Sequence, residues 1–356
     1  MHPSAAVAPG PAVTDTTVRF RFADPQRALT GVRLSQDVRV PGDRLAFTYD
    51  GSDWVLDVDR PDVHRIEYAF ELTHPDGRTE HVLDPANDTT SPGAFGDKSV
   101  VVLPGYEPPD WLGADEDDAA GDFRALAIPA RALGTELPVR LWTPRDTADD
   151  EPLPLLAVHD GPEYDELAAL TTYLGVMTER GQVPRLRAAL LSPGPRDDWY
   201  SAHGAYTRAL CLAVLPSLRS LVMTTAVVGM GASLGALAML HAQRRHTGTL
   251  DALFLQSGSF FHPRFDAHER RFPHYDRIER SVDGVLRAGG HRAPVPVVMT
   301  CGRIEENIEN NRTMARALAA QGYDVALHEL ADVHNYTAWR DSFDPYLTRL
   351  LRMVAS

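Results

Sequence analysis

The sequence predicts an α/β fold, a sheet covered by helices, preceded by a small all-β immunoglobulin-like sandwich domain. Three observations predict it. From Thr16 to Pro104, short alternating apolar runs are broken by turn residues; an acidic, proline-containing stretch follows; beyond it, apolar strand-like runs alternate with segments of helical period.

Val18–Phe22, Leu45–Tyr49, Trp54–Val58 and Ile66–Leu72 read as strands, with Asp50-Gly51 and Asp76-Gly77 as turns between them. Paired prolines at Pro108 and Pro109 and the acidic run that follows have too little apolar content to pack, so they mark a linker. Six strand-like runs come next, at Pro154–Val158, Arg187–Leu191, Thr225–Gly229, Ala252–Leu255, Val295–Thr300 and Val325–Leu330. A helix is expected over Asn311–Ala320, with Met314, Ala315 and Leu318 on one face and Gly322 as its stop. The expected boundaries are a disordered tail over 1–14, the sandwich over 15–112, a linker over 113–122 and the α/β domain over 123–356. A chain of 356 residues suits two such domains better than one.

Composition narrows the function classes. Hydrophobic residues at 44% and charged residues at 24% fit a folded chain, and a net charge of −14 without any Lys/Arg-rich run argues against nucleic acid as a partner. The first fourteen residues lack a basic, then apolar, leader pattern, and no run has the apolar length of a membrane span. Two cysteines, Cys211 and Cys301, fit a reducing compartment, so a cytoplasmic location and no membrane partner are expected.

The segment Gly231-Ala232-Ser233-Leu234-Gly235 follows an apolar strand and precedes a run of good helix formers. A chain that turns sharply from strand to helix holds a serine at the apex, and glycines two residues to either side let the neighbouring backbone approach. The helix N-terminus then faces a reacting carbonyl, and the Leu234 N–H becomes a candidate oxyanion donor. A tight structural turn is the plainer reading. A serine hydroxyl needs a neutral imidazole to take its proton. Of 14 histidines, His334 stands just after the last expected strand, where such a base belongs. The carboxylate that orients it should fall between serine and histidine in chain order. Cys301–Asn307 follows the fifth strand and offers Glu305, preferred here, and Glu306; either also suits the start of the next helix. Strand, elbow, acid and histidine in this order define the α/β-hydrolase pattern. A second oxyanion donor is expected at Gly161, in His159-Asp160-Gly161-Pro162.

These residues resemble the enterochelin (enterobactin) esterase family in its two-domain form. The resemblance runs through Trp54, Arg60-Pro61, Tyr68, Leu83–Asn87, Gly93–Gly96 and Pro109–Trp111, then His159–Gly161, Arg196, Tyr200-Ser201, Tyr206, Gly231–Gly235, Gln256–Ser259, Gly302, Glu305, His334 and Trp339. It implies an esterase acting through an acyl-enzyme, opening the trilactone of a catecholate siderophore in the best-known members. It also implies that Ser233, His334 and Glu305 are catalytic and that Leu234 and Gly161 are oxyanion donors. Two departures, Gly235-Ala236 and Asp332-Val333-His334-Asn335, remove no catalytic atom but leave the substrate open. Other esters, acyl transfer and a non-catalytic binding protein of the same fold are the alternatives.

Arg196, Arg303 and Arg340 are candidate contacts for an anionic substrate such as a ferric siderophore. Arg196 is preferred because its loop follows the second strand, and Trp199 and His159 complete the expected substrate-binding set. No cofactor or metal is expected: the glycines form no nucleotide loop, and the histidines and cysteines lack metal-ligand spacing.

Overall fold

Among the described residues the N-terminal sequence forms nine short strands. They are β1 (Ala12–Val13), β2 (Thr17–Ala23), β3 (Gly31–Gln36), β4 (Thr48–Tyr49), β5 (Asp53–Asp59), β6 (Arg65–Thr73), β7 (Thr79–Val82), β8 (Thr90–Ser91) and β9 (Lys98–Val102). The structure is a computed structural model, and it describes residues 10–38, 42–114 and 121–355. One antiparallel sheet runs β1-β2-β5-β4; the other runs β3-β6-β9-β8, with β7 also paired to β6. In β2, Val18 and Phe20 are buried while Arg19 and Arg21 between them face outward, the period of two that a half-buried strand requires. Both sheets contribute to one core, where Phe20 of β2 meets Tyr68 of β6 edge to face at 4.9 Å.

Two expectations for this unit change. Leu45–Tyr49 is not one strand: Gly42–Leu45 is a 3₁₀ turn, Ala46 makes a single bridge to Arg33, and only Thr48–Tyr49 pairs as a strand. Leu45 and Phe47 are nevertheless buried, so their alternation reports burial and not pairing. Of the expected tail over 1–14, residues 1–9 lie outside the described residues, and Ala12–Val13 pair with Val18 and Arg19 of β2. Residues 115–120 of the expected linker also lie outside.

The larger unit is built on one eight-stranded sheet. Its strands are β10 (Gly121–Ala130), β11 (Thr135–Pro144), β12 (Leu153–Val158), β13 (Arg187–Leu191), β14 (Thr224–Ala232), β15 (Ala252–Gln256), β16 (Pro296–Gly302) and β17 (Asp324–Leu330). Their order is β10-β11-β13-β12-β14-β15-β16-β17, antiparallel up to β13 and parallel from there on. Strand β12 is buried at all six positions, as expected for a parallel strand covered on both faces. Two core clusters flank the sheet, one around Leu155, Leu237 and Met314, the other around Leu156, Tyr173 and Leu350.

This strand order positions the site. Because β13 lies on one side of β12 and β14 on the other, the connections leaving β12 and β14 part in opposite directions. That reversal is a topological switch point, and open α/β sheets hold their ligands at the carboxyl ends of such strands.

By contacts the described chain divides into two units. The first takes the residues up to Glu107 together with Arg303–Glu306 and Ala331–Asn335; the second takes Pro108–Gly302, Asn307–Leu330 and the chain from Tyr336. The loops after β16 and β17 thus belong with the sandwich.

Candidate active site

Ser233 sits between β14 and the helix Leu234–Arg245 with φ 55° and ψ −122°. A side-chain-bearing residue adopts positive φ at a cost of order 1–3 kcal/mol, and such strain persists only where surroundings enforce it. Here they do. The Ser233 N–H donates to the Gln256 carbonyl at 2.9 Å, and the Ser233 carbonyl accepts from the Ser259 N–H at 3.1 Å. A Cβ on Gly231 would lie 2.6 Å from the Gly235 carbonyl carbon, so the turn closes only with glycine there. The Ser233 hydroxyl is half-buried and lies 3.0 Å from that of Ser259. Leu234 opens the helix, so its N–H is one of the donors that the helical ladder cannot use.

The loop after β12 is locked against this elbow. His159 is fully buried, its Nδ1 3.0 Å from the Gly235 carbonyl and its Nε2 2.8 Å from the Tyr206 hydroxyl. The carbonyl can only accept, so Nδ1 carries the proton and Nε2 accepts from the tyrosine. Burial pushes the imidazole pKa down to about 4, which keeps it neutral. His159, expected at the substrate, is fully buried with both ring nitrogens engaged inside the protein.

Gly161 opens the next helix, after Asp160 in the left-handed region at φ 50°. A Cβ at Gly161 would lie 2.3 Å from Leu190 Cα, so glycine is required by the neighbouring strand. Arg196 grips the buried Asp160 carboxylate with Nε and Nη2, both at 2.9 Å. Burial raises the Asp160 pKa and the guanidinium opposes that rise. Trp199 stacks on Tyr206 at 5.5 Å and fills the space left by the absent side chain of Gly194. Arg196 and Trp199, both expected at the substrate, thus make these intramolecular contacts. Arg303 pairs with Asp62 at 2.7 Å and Arg340 with Asp341 at 2.7 Å.

In the first unit a carboxylate and an imidazole are hydrogen-bonded. His334 Nδ1 lies 2.8 Å from Glu305 Oε2; Glu305 is buried and Glu306 exposed. Burial works to lower the His334 pKa, but the hydrogen bond and charge of Glu305, aided by Glu306 and Asp37, outweigh it and the pKa is raised. This arrangement fixes the imidazole tautomer, with the proton on Nδ1 and Nε2 left as the basic nitrogen.

Sequence reasoning assigned no role to Ser257 or Ser259. Ser257 has φ 47°, and its hydroxyl accepts from Trp339 Nε1 at 3.0 Å. Together these serines shape the strand end beside the Ser233 turn. The Gln256–Ser259 run was visible, but nothing local in it signals a positive φ at Ser257.

A mostly parallel eight-stranded sheet, with a strained serine between a central strand and its helix, defines an α/β-hydrolase fold, here preceded by an antiparallel β domain. Solved structures share that architecture, some across nearly the whole chain and others across about two thirds of it. The enterobactin esterase from Shigella flexneri, in the presence of 2,3-di-hydroxy-N-benzoyl-serine, is 18% identical, covers 98% of this chain and 97% of its own, and has a TM-score of 0.75. The ferric enterobactin esterase from Salmonella typhimurium is 17% identical, covers 99% and 98%, and has a TM-score of 0.74. The fluorophosphonate-binding serine hydrolase F of Staphylococcus aureus is 12% identical, covers 66% and 99%, and has a TM-score of 0.51. No protein-family model and no curated protein matches the chain. At such identities the likeness establishes the fold. No helix among the described residues is long and apolar enough to cross a membrane.

Proposed function

We propose that this protein is a serine esterase that cleaves ester or lactone bonds through an acyl-enzyme. In this reading Ser233 is the nucleophile, His334 its general base and Glu305 the carboxylate that orients the imidazole. His334 Nε2 takes the hydroxyl proton as Ser233 Oγ bonds to the ester carbonyl carbon. The backbone N–H groups of Leu234 and Gly161 hold the developing oxyanion. Collapse expels the alcohol, protonated by the imidazolium, and water repeats the sequence to release the acid and free Ser233.

The observation that carries the reading is the backbone of Ser233, held at φ 55° against its own steric preference. The 2.8 Å pair of His334 and Glu305 supports it independently, because it supplies a base in the required tautomer. For the substrate, we take the likeness to the enterobactin esterases as the guide and propose a catecholate siderophore trilactone, with ferric iron as cargo. The buried thiols Cys211 and Cys301 fit a reducing, cytoplasmic setting.

The test is product mass spectrometry after incubation with ferric and iron-free trilactone siderophore, beside a panel of simple aryl esters. Linear products that depend on Ser233 support the full reading. Turnover of aryl esters alone keeps the chemistry and removes the substrate. No Ser233-dependent turnover of any ester removes both and leaves a binding protein.

A further inference from the structure

Both members of the acid–base pair stand on loops that pack within the first unit. Arg303 Nη1 donates to Asp62 Oδ2 at 2.7 Å, and Ile304 packs against the sandwich core. The His64 N–H donates to the Ala331 carbonyl at 2.6 Å, and Val333, 2% exposed, is part of that core. Four consecutive residues around the base are therefore tied down: Asp332, Val333 and Asn335 are buried, while His334 between them is only part-buried.

The tie contains charges that a stable core does not need. Arg65 and Glu67, on β6, are each 5% exposed and pair at 3.3 Å, with the guanidinium 5.6 Å from the Tyr106 ring. Asp332 is buried in the same unit and feels the charge of both. One of its oxygens, Oδ1, accepts from the Val333 N–H at 2.8 Å and from Asn335 Nδ2 at 3.3 Å, so the carboxylate clasps the residues on both sides of His334. Buried charged groups are poor stabilisers, since desolvation offsets their attraction, and they are best attested where they fix one arrangement among several. The residue clasped into one arrangement here is the base.

We propose that Asp332, whose carboxylate is hydrogen-bonded to the residues on both sides of His334, is a positioning residue for that imidazole. The N-terminal unit then contributes a positioning residue to the catalytic apparatus. This inference rests on the reading of His334 as the base of Ser233. Asp332 touches no reacting atom; it sets the direction of the imidazole through the backbone on either side. Its loss lowers kcat and leaves KM, because substrate still binds beside a misdirected base.

The experiment uses the full chain, with p-nitrophenyl butyrate as substrate. Asp332→Ala is expected to lower kcat by about 10- to 100-fold with KM nearly unchanged, the size of effect that small misplacement of a catalytic group produces. Asp332→Asn keeps an acceptor for the Val333 N–H and is expected to restore most of the loss. The low-field proton resonance of the His334 Nδ1–H should be sharp in wild type and Asp332→Asn and broadened in Asp332→Ala. Unchanged kcat and resonance in Asp332→Ala, or equal loss in both variants alongside a lowered Tm, overturns the proposal. Should Asp332→Ala not fold, Asn335→Ala cuts the same clasp more gently, and the same split between kcat and KM decides. Activity that survives in Ser233→Ala would instead overturn the esterase reading, a separate outcome.

Discussion

Glu305 Oε2 lies 2.8 Å from His334 Nδ1, and the carboxylate is buried while the imidazole keeps a partly open edge. The adjacent Glu306 is exposed and bears on His334 only through its charge. Glu305→Gln should therefore lower kcat by about 10³- to 10⁴-fold, the scale seen when the acid of such a triad loses its charge and the tautomer is lost. Glu306→Gln should change it by less than about threefold, as befits an exposed charge. Steady-state kinetics of both variants checks this ranking, and the reverse ranking would transfer the acid's role to Glu306.

The same pair sets a pH dependence. Burial acts to lower the His334 pKa, but Glu305, then Glu306 and Asp37, favour the imidazolium and raise it. In the proposed role the imidazole must be neutral to accept a proton, so a raised pKa moves the acidic limb of kcat/KM above the ordinary histidine value of about 6.5. Removing a nearby negative charge favours the neutral form, so Glu306→Gln should shift that limb to lower pH. A pH profile of the two proteins tests the sign; a shift toward higher pH would contradict it.

Arg196 holds Asp160 with two hydrogen bonds, and Asp160 is buried at a positive φ. Arg196→Ala should leave that carboxylate without its partner and cost about 2–3 kcal/mol, less than a fully buried pair because the arginine is partly exposed. Denaturant melts measure this loss. An unchanged midpoint with a raised KM for anionic esters would return Arg196 to the substrate.

Gly231 and Gly284 make a matched pair. A Cβ at Gly231 meets the Gly235 carbonyl carbon at 2.6 Å, whereas one at Gly284, inside the helix Tyr275–Leu286, meets nothing within 4 Å. Gly231→Ala should abolish ester hydrolysis by forcing the elbow open. Gly284→Ala should keep full activity and add up to about 1 kcal/mol of stability from helix propensity. Equal activity in both would mean that the elbow tolerates a side chain and that its strain has no role.

Much of this was legible in the sequence, and the parts that were not have physical reasons. The six parallel strands appear because each is an apolar run between turns; the expected Arg187–Leu191 coincides with β13, and Thr225–Gly229 lies inside β14. Strands β10 and β11 were not read, because they carry Pro129, Pro138 and Pro144 among charged residues, a pattern that edge positions and antiparallel hairpins tolerate. The elbow was readable because its strain needs glycines at fixed offsets. The burial of His159 was not, since no local pattern reveals that Tyr206 and the Gly235 carbonyl satisfy both of its nitrogens. Nor could spacing show that Arg303–Glu306 and Ala331–Asn335 pack with the sandwich, a partnership between segments far apart in the chain.

The central claim, that Ser233 is the nucleophile, is tested most directly by reacting the full-length protein with a fluorophosphonate probe and locating the adduct by peptide mass spectrometry. One adduct is expected, on Ser233, with aryl-ester hydrolysis lost in step with labelling and both absent in Ser233→Ala. Hydrolysis that persists in Ser233→Ala, or an adduct on another residue of the active protein, would contradict it.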